Sequence, residues 1–246
     1  MAEVDLGRLA AAYDHRRGSG ADRATTTARV VGIVPGSVVV DIGGGRGDHA
    51  AVFRSMGASA VVVDRSPDMA RAAAQTGIDT VVGMGESLPI ASGCARLAYF
   101  HLSIHHGDTS AMLGEACRIT EVGGTVWVWT LDPARLEESY LARWFPSVAA
   151  IDRRRMPQPS AIAAVLEVHH LVAKDPLPSV EHIARSAGSW AEAVRSGFVS
   201  TLHLVDPTEI DEGLDRFGRE HPDPDEVIEY DIFYTGVHGT RPGLVS

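Results

Sequence analysis

Short apolar runs rich in valine and isoleucine recur along the first half of the chain, and helical patterns separate them. Runs of this length and composition are typical of buried parallel strands. The predicted strands are residues 37–42, 60–64, 80–82, 96–102 and 125–129, and the predicted helices between them are residues 48–56, 67–75 and 109–120. This alternation predicts right-handed βαβ units and a mostly parallel sheet with helices on both faces.

The pattern is less regular on either side of this alternation. Two helices are expected before the first strand, at residues 3–17 and 22–34. After Pro133 we expect helices at residues 134–144, from about 160, at 189–197 and at 207–220, strands near 168–172 and 228–237, and a tail at 239–246. Residues 145–160 carry three prolines and the arginines 153–155, a composition that predicts a loop or lid.

Composition and charge narrow the class of protein. The net charge of −10 over 246 residues argues against a nucleic-acid partner, because an acidic chain repels a phosphate backbone. Two cysteines are too few for a disulfide framework and have no metal-ligand spacing. The first residues do not resemble a signal peptide, and no apolar run approaches the roughly 20 residues of a membrane span. We therefore expect a cytoplasmic protein without a membrane partner.

Three glycines alternate with other residues in the turn after the first predicted strand, at positions 43, 45 and 47. Glycine allows positive φ and close approach of a ligand, and such a turn at the carboxyl end of a parallel strand is a ligand site. A dinucleotide-binding turn would need glycine in place of Asp48. Asp41 precedes the loop, and its carboxylate would repel a diphosphate but attract an ammonium group. These features favour S-adenosylmethionine, which carries an ammonium and a sulfonium and no phosphate, over NAD.

A second acidic residue, Asp64, ends the second predicted strand, 23 positions after Asp41. A carboxylate there can accept hydrogen bonds from both hydroxyls of a ribose. NAD and S-adenosylmethionine share this ribose, so Asp64 does not distinguish them. The alternatives are that Asp64 caps the helix that Pro67 begins and that the glycine loop is a tight turn without a ligand.

Six segments of the sequence occur in the order found in one family of enzymes. They are Tyr13-Asp14, Asp41 to Gly47, Val63 to Met69, Gly83 to Pro89, Leu102 to His106 and Arg118 to Gly124. Together they resemble the motifs of class I, Rossmann-like, S-adenosylmethionine-dependent methyltransferases over roughly residues 13–130. The resemblance is especially to the small-molecule group that includes the ubiquinone and menaquinone biosynthesis methyltransferases.

The resemblance implies a three-layer, doubly wound α/β fold. Its sheet would be mostly parallel and seven-stranded, in the order 3-2-1-4-5-7-6 with the last strand antiparallel. It implies one domain over residues 1–246, with N-terminal helices in 1–34, a cofactor-binding half in 37–130 and a substrate-covering and C-terminal half in 133–220. The implied activity is transfer of a methyl group from S-adenosylmethionine to a small-molecule acceptor, with a hydroxyl oxygen favoured over nitrogen or carbon.

Matching the motifs residue by residue assigns the cofactor site. The expected cofactor-binding residues are Tyr13, Asp41, Gly43, Gly45, Asp64, Arg65, Met69, Met84, Gly85, Glu86, Phe100 and His106. In this family the acid after the second strand binds the ribose, and the residues that follow it flank the adenine.

Three positions depart from the family pattern. Met84 stands where the family usually has an aspartate that bonds the adenine amino group, and Arg96 stands where an aspartate usually begins the fourth strand. Val122 replaces a common proline. A methionine can pack on the face of adenine, so Met84 is compatible with binding. The departures support a second hypothesis, a regulator or accessory protein that binds the cofactor without turnover.

Three histidines, His101, His105 and His106, cluster at the end of the fourth predicted strand. Histidine titrates near neutral pH and can accept a proton from a hydroxyl group. We expect His101 or His105 to be the general base and His106 to contact the cofactor; the alternative is that the rings only pack and cap the loop. These histidines together with Asp132 or Glu138 could also hold a divalent metal, but the spacing matches no metal motif, so we expect none.

Aromatic residues and arginines follow the fifth predicted strand, in the region that would cover the substrate. The residues concerned are Tyr140, Trp144, Phe145, Trp190, His203 and the arginines 153–155. They form either an apolar lid with a cation for an acidic or sugar-like substrate, or a helix core and a solvated loop. His169-His170 are expected on the sixth strand. The sequence leaves open the identity of the acceptor and the oligomeric state, a homodimer included.

Overall fold

A computed structural model describes residues 21–243 of the chain. The helix predicted at residues 3–17, and with it Tyr13, lies outside the described residues. The chain divides into two compact units. In the described part, the larger unit comprises residues 21–130, 157–179 and 235–243, and the smaller unit comprises residues 131–156 and 180–234.

Between residues 21 and 243, eight strands form one sheet. They are β1 (Val38–Ile42), β2 (Ser59–Asp64), β3 (Asp79–Val82), β4 (Ala95–His101), β5 (Thr120–Leu131), β6 (Val172–Ala173), β7 (Leu177–Ser186) and β8 (Val227–Thr240). The strand order is β3-β2-β1-β4-β5-β8-β6, and β7 pairs with β8. Pairing is parallel from β3 through β5, whereas β6 and β8 are antiparallel. The predicted doubly wound α/β fold is confirmed.

The same residues form nine α-helices. They are α1 (Ala21–Val31), α2 (Asp48–Ser55), α3 (Pro67–Gln75), α4 (Thr109–Ile119), α5 (Tyr140–Trp144), α6 (Ser147–Arg155), α7 (Pro159–Val168), α8 (Ala187–Ser196) and α9 (Pro207–Glu220). None of these described helices is long and apolar enough to cross a membrane.

The sheet has one strand more than the seven predicted, and that strand is β7. Most of its residues are exposed or only half-buried, and Pro178 is its second residue. An exposed strand that contains proline lacks the apolar pattern by which buried strands are found. The predicted seventh strand is therefore β8 in the structure, and with this renumbering the predicted strand order is the observed one.

Local signals explain where the helices of the larger unit begin. The Ser66 side chain accepts a hydrogen bond from the Met69 N–H at the start of α3, and Pro67 occupies the first helical position. Asp108 caps α4 in the same way by accepting from the Ala111 N–H at 2.8 Å. Such caps satisfy amides that have no partner within the helix, so these boundaries are encoded locally.

The hydrophobic core of the larger unit lies between one face of the sheet and the helices α4 and α7. Alternate residues of three strands supply its sheet side, namely Val40, Ile42, Ala98, Phe100, Val126 and Val128. The predicted cofactor residue Phe100 is thus fully buried in the core. Neighbouring residues of β4, Tyr99 and His101, bond to α2 and α1 instead, because successive side chains of a strand point to opposite faces.

Arg96 ties the amino end of β4 to two neighbouring elements. One guanidinium nitrogen donates to the Gly123 carbonyl at 2.5 Å, in the turn within β5, and another donates to the Val31 carbonyl at the end of α1 at 2.7 Å. The glycine loop lies at the opposite, carboxyl end of the parallel strands. The Arg96 side chain, which departs from the family pattern, therefore links structural elements at the end of the sheet opposite to the glycine loop.

Aromatic rings form the core of the smaller unit. The Trp190 ring stacks on Phe217 at a centroid distance of 4.3 Å and lies parallel to Phe145 at 6.1 Å. Trp144 packs edge-on against Phe217 at 5.1 Å. Trp144, Phe145 and Trp190 are almost fully buried, so the structure supports the helix-core interpretation of these residues.

The prediction of a loop or lid at residues 145–160 is wrong. Residues Ser147–Arg155 form α6, and Pro146 precedes it as the capping residue. Pro157 lies after α6, and Pro159 occupies the first turn of α7. Proline is tolerated at the start of a helix because the first helical amides have no acceptor within the helix, and it is common after a helix because it cannot continue one. The prolines therefore separate helices here and do not mark a loop.

Two arginines of α6, Arg153 and Arg155, have partners within the smaller unit. Arg153 pairs with Glu137 at 2.5 Å. Arg155 is nearly buried and donates to the hydroxyls of Thr201 and Ser200 at 3.1 and 3.0 Å. His203 contacts the Gly197 carbonyl through Nε2 at 2.9 Å, at the end of α8. These contacts are those of a packed helical unit.

The structure also corrects the placement of two further segments. His169-His170 were expected on the sixth strand but end α7, where His170 has a left-handed φ of 62°, and β6 begins only at Val172. Both histidines are exposed. The helix predicted at residues 134–144 is divided into a 3₁₀ turn, Leu136–Glu138, and α5.

Replacing Trp190 by alanine should destabilise the protein by about 3–5 kcal/mol, because a fully buried aromatic side chain leaves a cavity among four other rings. Urea unfolding followed by circular dichroism measures this change. Val168→Ala is the control, since Val168 is 74% exposed and should shift the free energy of unfolding by less than about 0.5 kcal/mol. A loss for Trp190→Ala no larger than the control's would contradict the assignment of this core.

Candidate functional site

The glycine loop after β1 bonds directly to the end of β2. Gly43, Gly45 and Gly47 have left-handed φ angles of 69°, 56° and 82°. The Gly43 N–H donates to the Val63 carbonyl at 2.7 Å, and the Gly45 N–H donates to Asp64 Oδ2 at 2.9 Å. Since positive φ is easily adopted only by glycine, the alternating glycines are what allows the loop to fold onto β2.

Two glycines also make room for neighbouring side chains. A Cβ atom added to Gly43 would lie 2.5 Å from the Cβ of Ser103, whose hydroxyl donates to the Ile42 carbonyl at 2.6 Å. A Cβ added to Gly44 would lie 2.6 Å from Cγ of Asp41. The loop is therefore held between the turn after β4 and the carboxylate of Asp41.

Asp41 is buried at the end of β1 with one oxygen unsatisfied. The carboxylate receives a hydrogen bond from the Ala50 N–H in the first turn of α2, but Oδ2 has no partner. Burial, together with the nearby charge of Asp64, raises the pKa of Asp41 to about 7. A buried carboxylate oxygen without a donor is costly, so it indicates a place for a hydrogen-bond donor or a cation.

Asp64 lies where the sequence predicted the ribose-binding acid. Its Oδ1 accepts from the Ser66 N–H at 2.8 Å and its Oδ2 accepts from the Gly45 N–H. Burial raises the pKa of Asp64, while these two hydrogen bonds and the charge of Arg65 lower it. A carboxylate offers about four acceptor positions, so two remain for a ligand. The helix cap proposed as an alternative role is filled by Ser66 instead.

Several other predicted residues surround these strand ends. Arg65 donates to the His106 carbonyl at 3.2 Å, and Glu86 Oε1 accepts from the Asp108 N–H at 3.0 Å. Met69 is buried below Gly45. Met84, by contrast, is half exposed, and it pairs with Ser87 in a tight turn that includes Gly85.

His101 ends β4 on the face opposite to the core and is fixed by two neighbours. Arg23 of α1 donates from Nε to His101 Nε2 at 3.0 Å. The His101 ring lies against the His49 ring of α2 at a centroid distance of 4.1 Å. Arg23 is only 3% exposed, so the donor side of this bond is buried, whereas His101 is partly exposed. The geometry makes Nε2 of His101 a hydrogen-bond acceptor toward Arg23.

The contacts of His101 extend into a buried polar network that the sequence did not predict. His49 Nδ1 lies 2.7 Å from the Tyr99 hydroxyl, and Trp129 Nε1 donates to the Thr27 hydroxyl at 2.9 Å. Burial, helped by the charge of Arg23, lowers the pKa of His49 to about 3, so its ring is neutral. The feature of the sequence that could have indicated this network is the spacing of Arg23 and Thr27, which lie four residues apart on one face of α1.

The other two histidines lie in a 3₁₀ turn, Ile104–His106, directly after β4. The rings of His105 and His106 are 4.1 Å apart. Leu102, between β4 and this turn, has a left-handed φ of 51°, which is uncommon for a residue with a branched side chain. Strained backbone of this kind is frequent at functional sites. The turn places both histidines close to the carboxyl end of β4.

The proposed metal ligands have other partners. Glu138 binds Arg135 with both carboxylate oxygens, at 2.9 and 2.6 Å, and Asp132 accepts from the Ala134 N–H at 3.0 Å. Among residues 21–243, histidine, cysteine and acidic side chains form no group of three that could hold a metal ion.

Residues 40–128 match the protein family described as “Methyltransferase domain”. The matched segment begins within β1 and ends within β5. It therefore contains the glycine loop, the end of β2 and the histidine turn.

A demethylmenaquinone methyltransferase of Corynebacterium kroppenstedtii is 32% identical over 124 residues. This alignment covers 48% of the chain and 54% of that protein. The chain thus spans about half the length of the curated relatives it matches.

Solved structures with little sequence identity share the fold. The YcgJ protein of Bacillus subtilis superposes with a TM-score of 0.62 at 16% identity, over 90% of this chain and 98% of that chain. An S-adenosylmethionine-dependent methyltransferase of Aquifex aeolicus superposes with a TM-score of 0.60 at 10% identity, over 97% of this chain and all of that chain. The chain therefore has the same fold as these solved structures.

Replacing Asp41 by asparagine should stabilise the unliganded protein at pH 8 by roughly 2 kcal/mol. The pKa of Asp41 is raised from 3.8 to about 7 in the fold, so between these pH values the folded state holds a proton that the unfolded state has lost, and above pH 7 the fold holds a costly buried charge. Stability should fall between about pH 4 and about pH 7 in the parent protein and fall less in the variant. Urea unfolding at several pH values measures the difference.

Asp68→Asn is the matched control, because Asp68 is exposed and pairs with Arg71 at the surface. It should leave the pH dependence as in the parent protein. If the free energy of unfolding depends on pH in the same way for Asp41→Asn and for the parent protein, then ionisation of Asp41 does not destabilise the fold and the prediction is wrong.

Proposed function

We propose that the protein is a class I, S-adenosylmethionine-dependent methyltransferase that acts on a small-molecule acceptor, since residues 40–128 match a methyltransferase domain. The observation that carries the proposal is the buried Asp41 carboxylate beneath the glycine loop. An anionic oxygen without a donor favours a cationic ligand and disfavours a diphosphate.

In this proposal the cofactor lies across the carboxyl ends of β1, β2 and β4. The free acceptor positions of Asp64 receive the ribose hydroxyls, and Asp41 faces the ammonium group. The turn at Met84 lies on the adenine side, where the exposed thioether can pack against the base. Two predicted cofactor residues are not part of this proposed site. Tyr13 is outside the described residues, and Phe100 is in the core.

The bound cofactor would supply a methyl group on a sulfonium, so an acceptor lone pair attacks the methyl carbon, the carbon–sulfur bond breaks and S-adenosylhomocysteine leaves. The protein's part is to align the acceptor, exclude water and remove the proton of a hydroxyl acceptor. We favour a hydroxyl oxygen as the acceptor atom, and nitrogen or carbon acceptors would not need the base.

The candidates for the base are His101 and His105. Because Nε2 of His101 already accepts a hydrogen bond from Arg23, His105 is the first choice for the proton acceptor. His101 would then orient the acceptor with its other ring nitrogen. The departure at Arg96 no longer supports the alternative of a non-catalytic regulator, since Arg96 forms hydrogen bonds at the amino end of β4.

Calorimetric titration tests the cofactor assignment. The purified protein should bind S-adenosylmethionine and S-adenosylhomocysteine and should not bind NADH. Release of S-adenosylhomocysteine is then measured with a panel of acceptors, beginning with demethylmenaquinone because the relative from Corynebacterium kroppenstedtii is named for it. Binding without turnover on any acceptor would favour the regulator, and tight NADH binding would refute the proposal.

Asp64→Ala should weaken binding of S-adenosylhomocysteine about tenfold or more, because two charge-assisted hydrogen bonds to the ribose are lost. Asp64→Asn should lose less, since the amide keeps one acceptor oxygen. Asp68→Ala, on the exposed face of α3, is the control. Equal affinities for parent and Asp64→Ala would place the ribose elsewhere.

His105→Ala should lower the rate of S-adenosylhomocysteine release about a hundredfold with a hydroxyl acceptor and leave affinity for the cofactor product nearly unchanged. His101→Ala is measured beside it, and His169→Ala, at an exposed position, is the control. If neither His101 nor His105 changes turnover, the hypothesis of a histidine base is wrong and alignment alone must suffice.

A further inference from the structure

A cavity of about 460 Å³ lies in the larger unit, where the carboxyl end of α1 meets β5, β6 and β8. Small-molecule sites commonly have volumes of about 300–1,000 Å³. Thr125, which lines the cavity, lies four residues before Trp129, and Trp129 pairs with His101 at the end of β4. The cavity therefore lies about 13 Å along the sheet from the carboxyl end of β4. Its lining residues are Val30, Val31, Thr125, Lys174, Asp175, His238 and Thr240.

Lys174 and His238 lie opposite each other across the antiparallel pair of β6 and β8. The Lys174 N–H donates to the His238 carbonyl at 3.0 Å, which continues the register in which Val172 lies opposite Thr240. Residues directly opposite in an antiparallel pair project from the same face, with Cβ atoms about 5 Å apart. The side chain of Lys174, the only lysine of the chain, therefore lies beside the His238 ring in the cavity wall.

The His238 ring brings a buried polar atom to this wall. Its Nδ1 atom has no hydrogen-bond partner among residues 21–243. The ring stacks on Trp127 at a centroid distance of 4.0 Å, which fixes its orientation. Burial, helped by the charge of Lys174, lowers the pKa of His238, so the ring is neutral at pH 7. A buried ring nitrogen without a partner costs free energy, so it indicates a place for a ligand atom.

Two threonine hydroxyls add a hydrogen-bond donor to the cavity. Thr125 Oγ1 lies 3.1 Å from Thr240 Oγ1. Because each hydroxyl has one hydrogen, one of them donates to the other and the second hydrogen remains for a ligand. The carboxyl end of α1 carries partial negative charge, but the Val31 carbonyl there accepts a hydrogen bond from Arg96 at 2.7 Å. The helix end therefore does not exclude an anion.

The charges of the wall indicate how much negative charge a ligand can carry. Lys174 is the one cation among the lining residues, and Asp175 is the one acid. A carboxylate with a single negative charge is compensated by the ammonium, whereas a phosphate dianion would leave its second charge beside Asp175. Val30 and Val31 provide apolar contact on the α1 side, and Val30 is 56% exposed. The lining thus matches an organic molecule with one carboxylate.

We infer that this cavity is a binding site for a small organic monocarboxylate. The carboxylate lies between Lys174, His238 and the threonine pair, and the apolar body of the ligand lies against the valines of α1. The residues that line the cavity belong neither to the glycine loop nor to the histidine turn, so the site is separate from the one proposed for the cofactor. The inference does not depend on the proposed function.

The single lysine makes the site directly observable by NMR. Protein labelled with carbon-13 at the lysine Cε gives one lysine Cε signal, that of Lys174. Titration with benzoate should shift this signal and reach saturation below about 10 mM. Benzamide, benzylamine and inorganic phosphate should bind about tenfold or more weakly, because the first two lack the carboxylate and the third carries an uncompensated charge. This comparison uses the parent protein alone, so it does not depend on the folding of any variant.

Calorimetric titration of variants tests the roles of the lining residues. Lys174→Gln should weaken benzoate binding about tenfold or more, because the charge-assisted contact is lost. His238→Phe keeps a ring to stack on Trp127 but removes the ring nitrogens, so it should also weaken binding. Asp175→Asn should strengthen binding of phosphate more than binding of benzoate. Arg71→Gln removes a charge from an exposed site on α3 and is the control, and thermal unfolding establishes that each variant is folded.

Three results would overturn the inference. Benzoate that leaves the Lys174 signal unchanged up to about 10 mM would show that the cavity does not bind a carboxylate. Benzamide or benzylamine that binds as tightly as benzoate would show that the anion is not recognised. Displacement of benzoate by S-adenosylhomocysteine would place benzoate in the cofactor site. None of these results bears on whether the protein binds S-adenosylhomocysteine, so the proposed function is tested separately.

Discussion

The candidate site depends on one electrostatic constraint, a carboxylate held out of water beneath a loop of backbone. Asp41 receives one amide from α2, and its other oxygen has no donor. Gly44 lies so close that any side chain there would collide with the carboxylate. The loop thus covers an acid whose charge is incompletely compensated, and the same loop bonds to Asp64 through Gly45. A cationic group is the natural complement of this arrangement.

The parts of the fold that sequence reasoning identified correctly are those whose signals are local. The buried strand β1 is a run of valines, and α3 begins with a serine cap and a proline, so both agree closely with the prediction. The errors lie where a signal has two meanings. Prolines are typical of loops and of helix boundaries alike, and those around α6 stand at helix boundaries, while the exposed strand β7 has no continuous apolar pattern.

The candidate site divides in the same way. The acids and glycines of the first two strand ends follow from their spacing, because each is one step from a predicted strand. The network of Arg23, His49 and Tyr99 could not be predicted, since it requires that α1 and α2 pack on the same face of β4. Arg96 shows that a residue that departs from a family pattern can have a structural role in the sheet and no role in the site.

The near-neutral titration of Asp41 has a consequence for how ligand affinities are compared. A cation prefers the ionised carboxylate, whereas the empty site near pH 7 is a mixture of protonated and ionised molecules. Loading of a cationic ligand then releases protons to the solvent, and the heat of association includes the ionisation heat of the buffer. Dissociation constants obtained at different pH values describe different mixtures of the two forms, so homologues should be compared in one buffer at one pH.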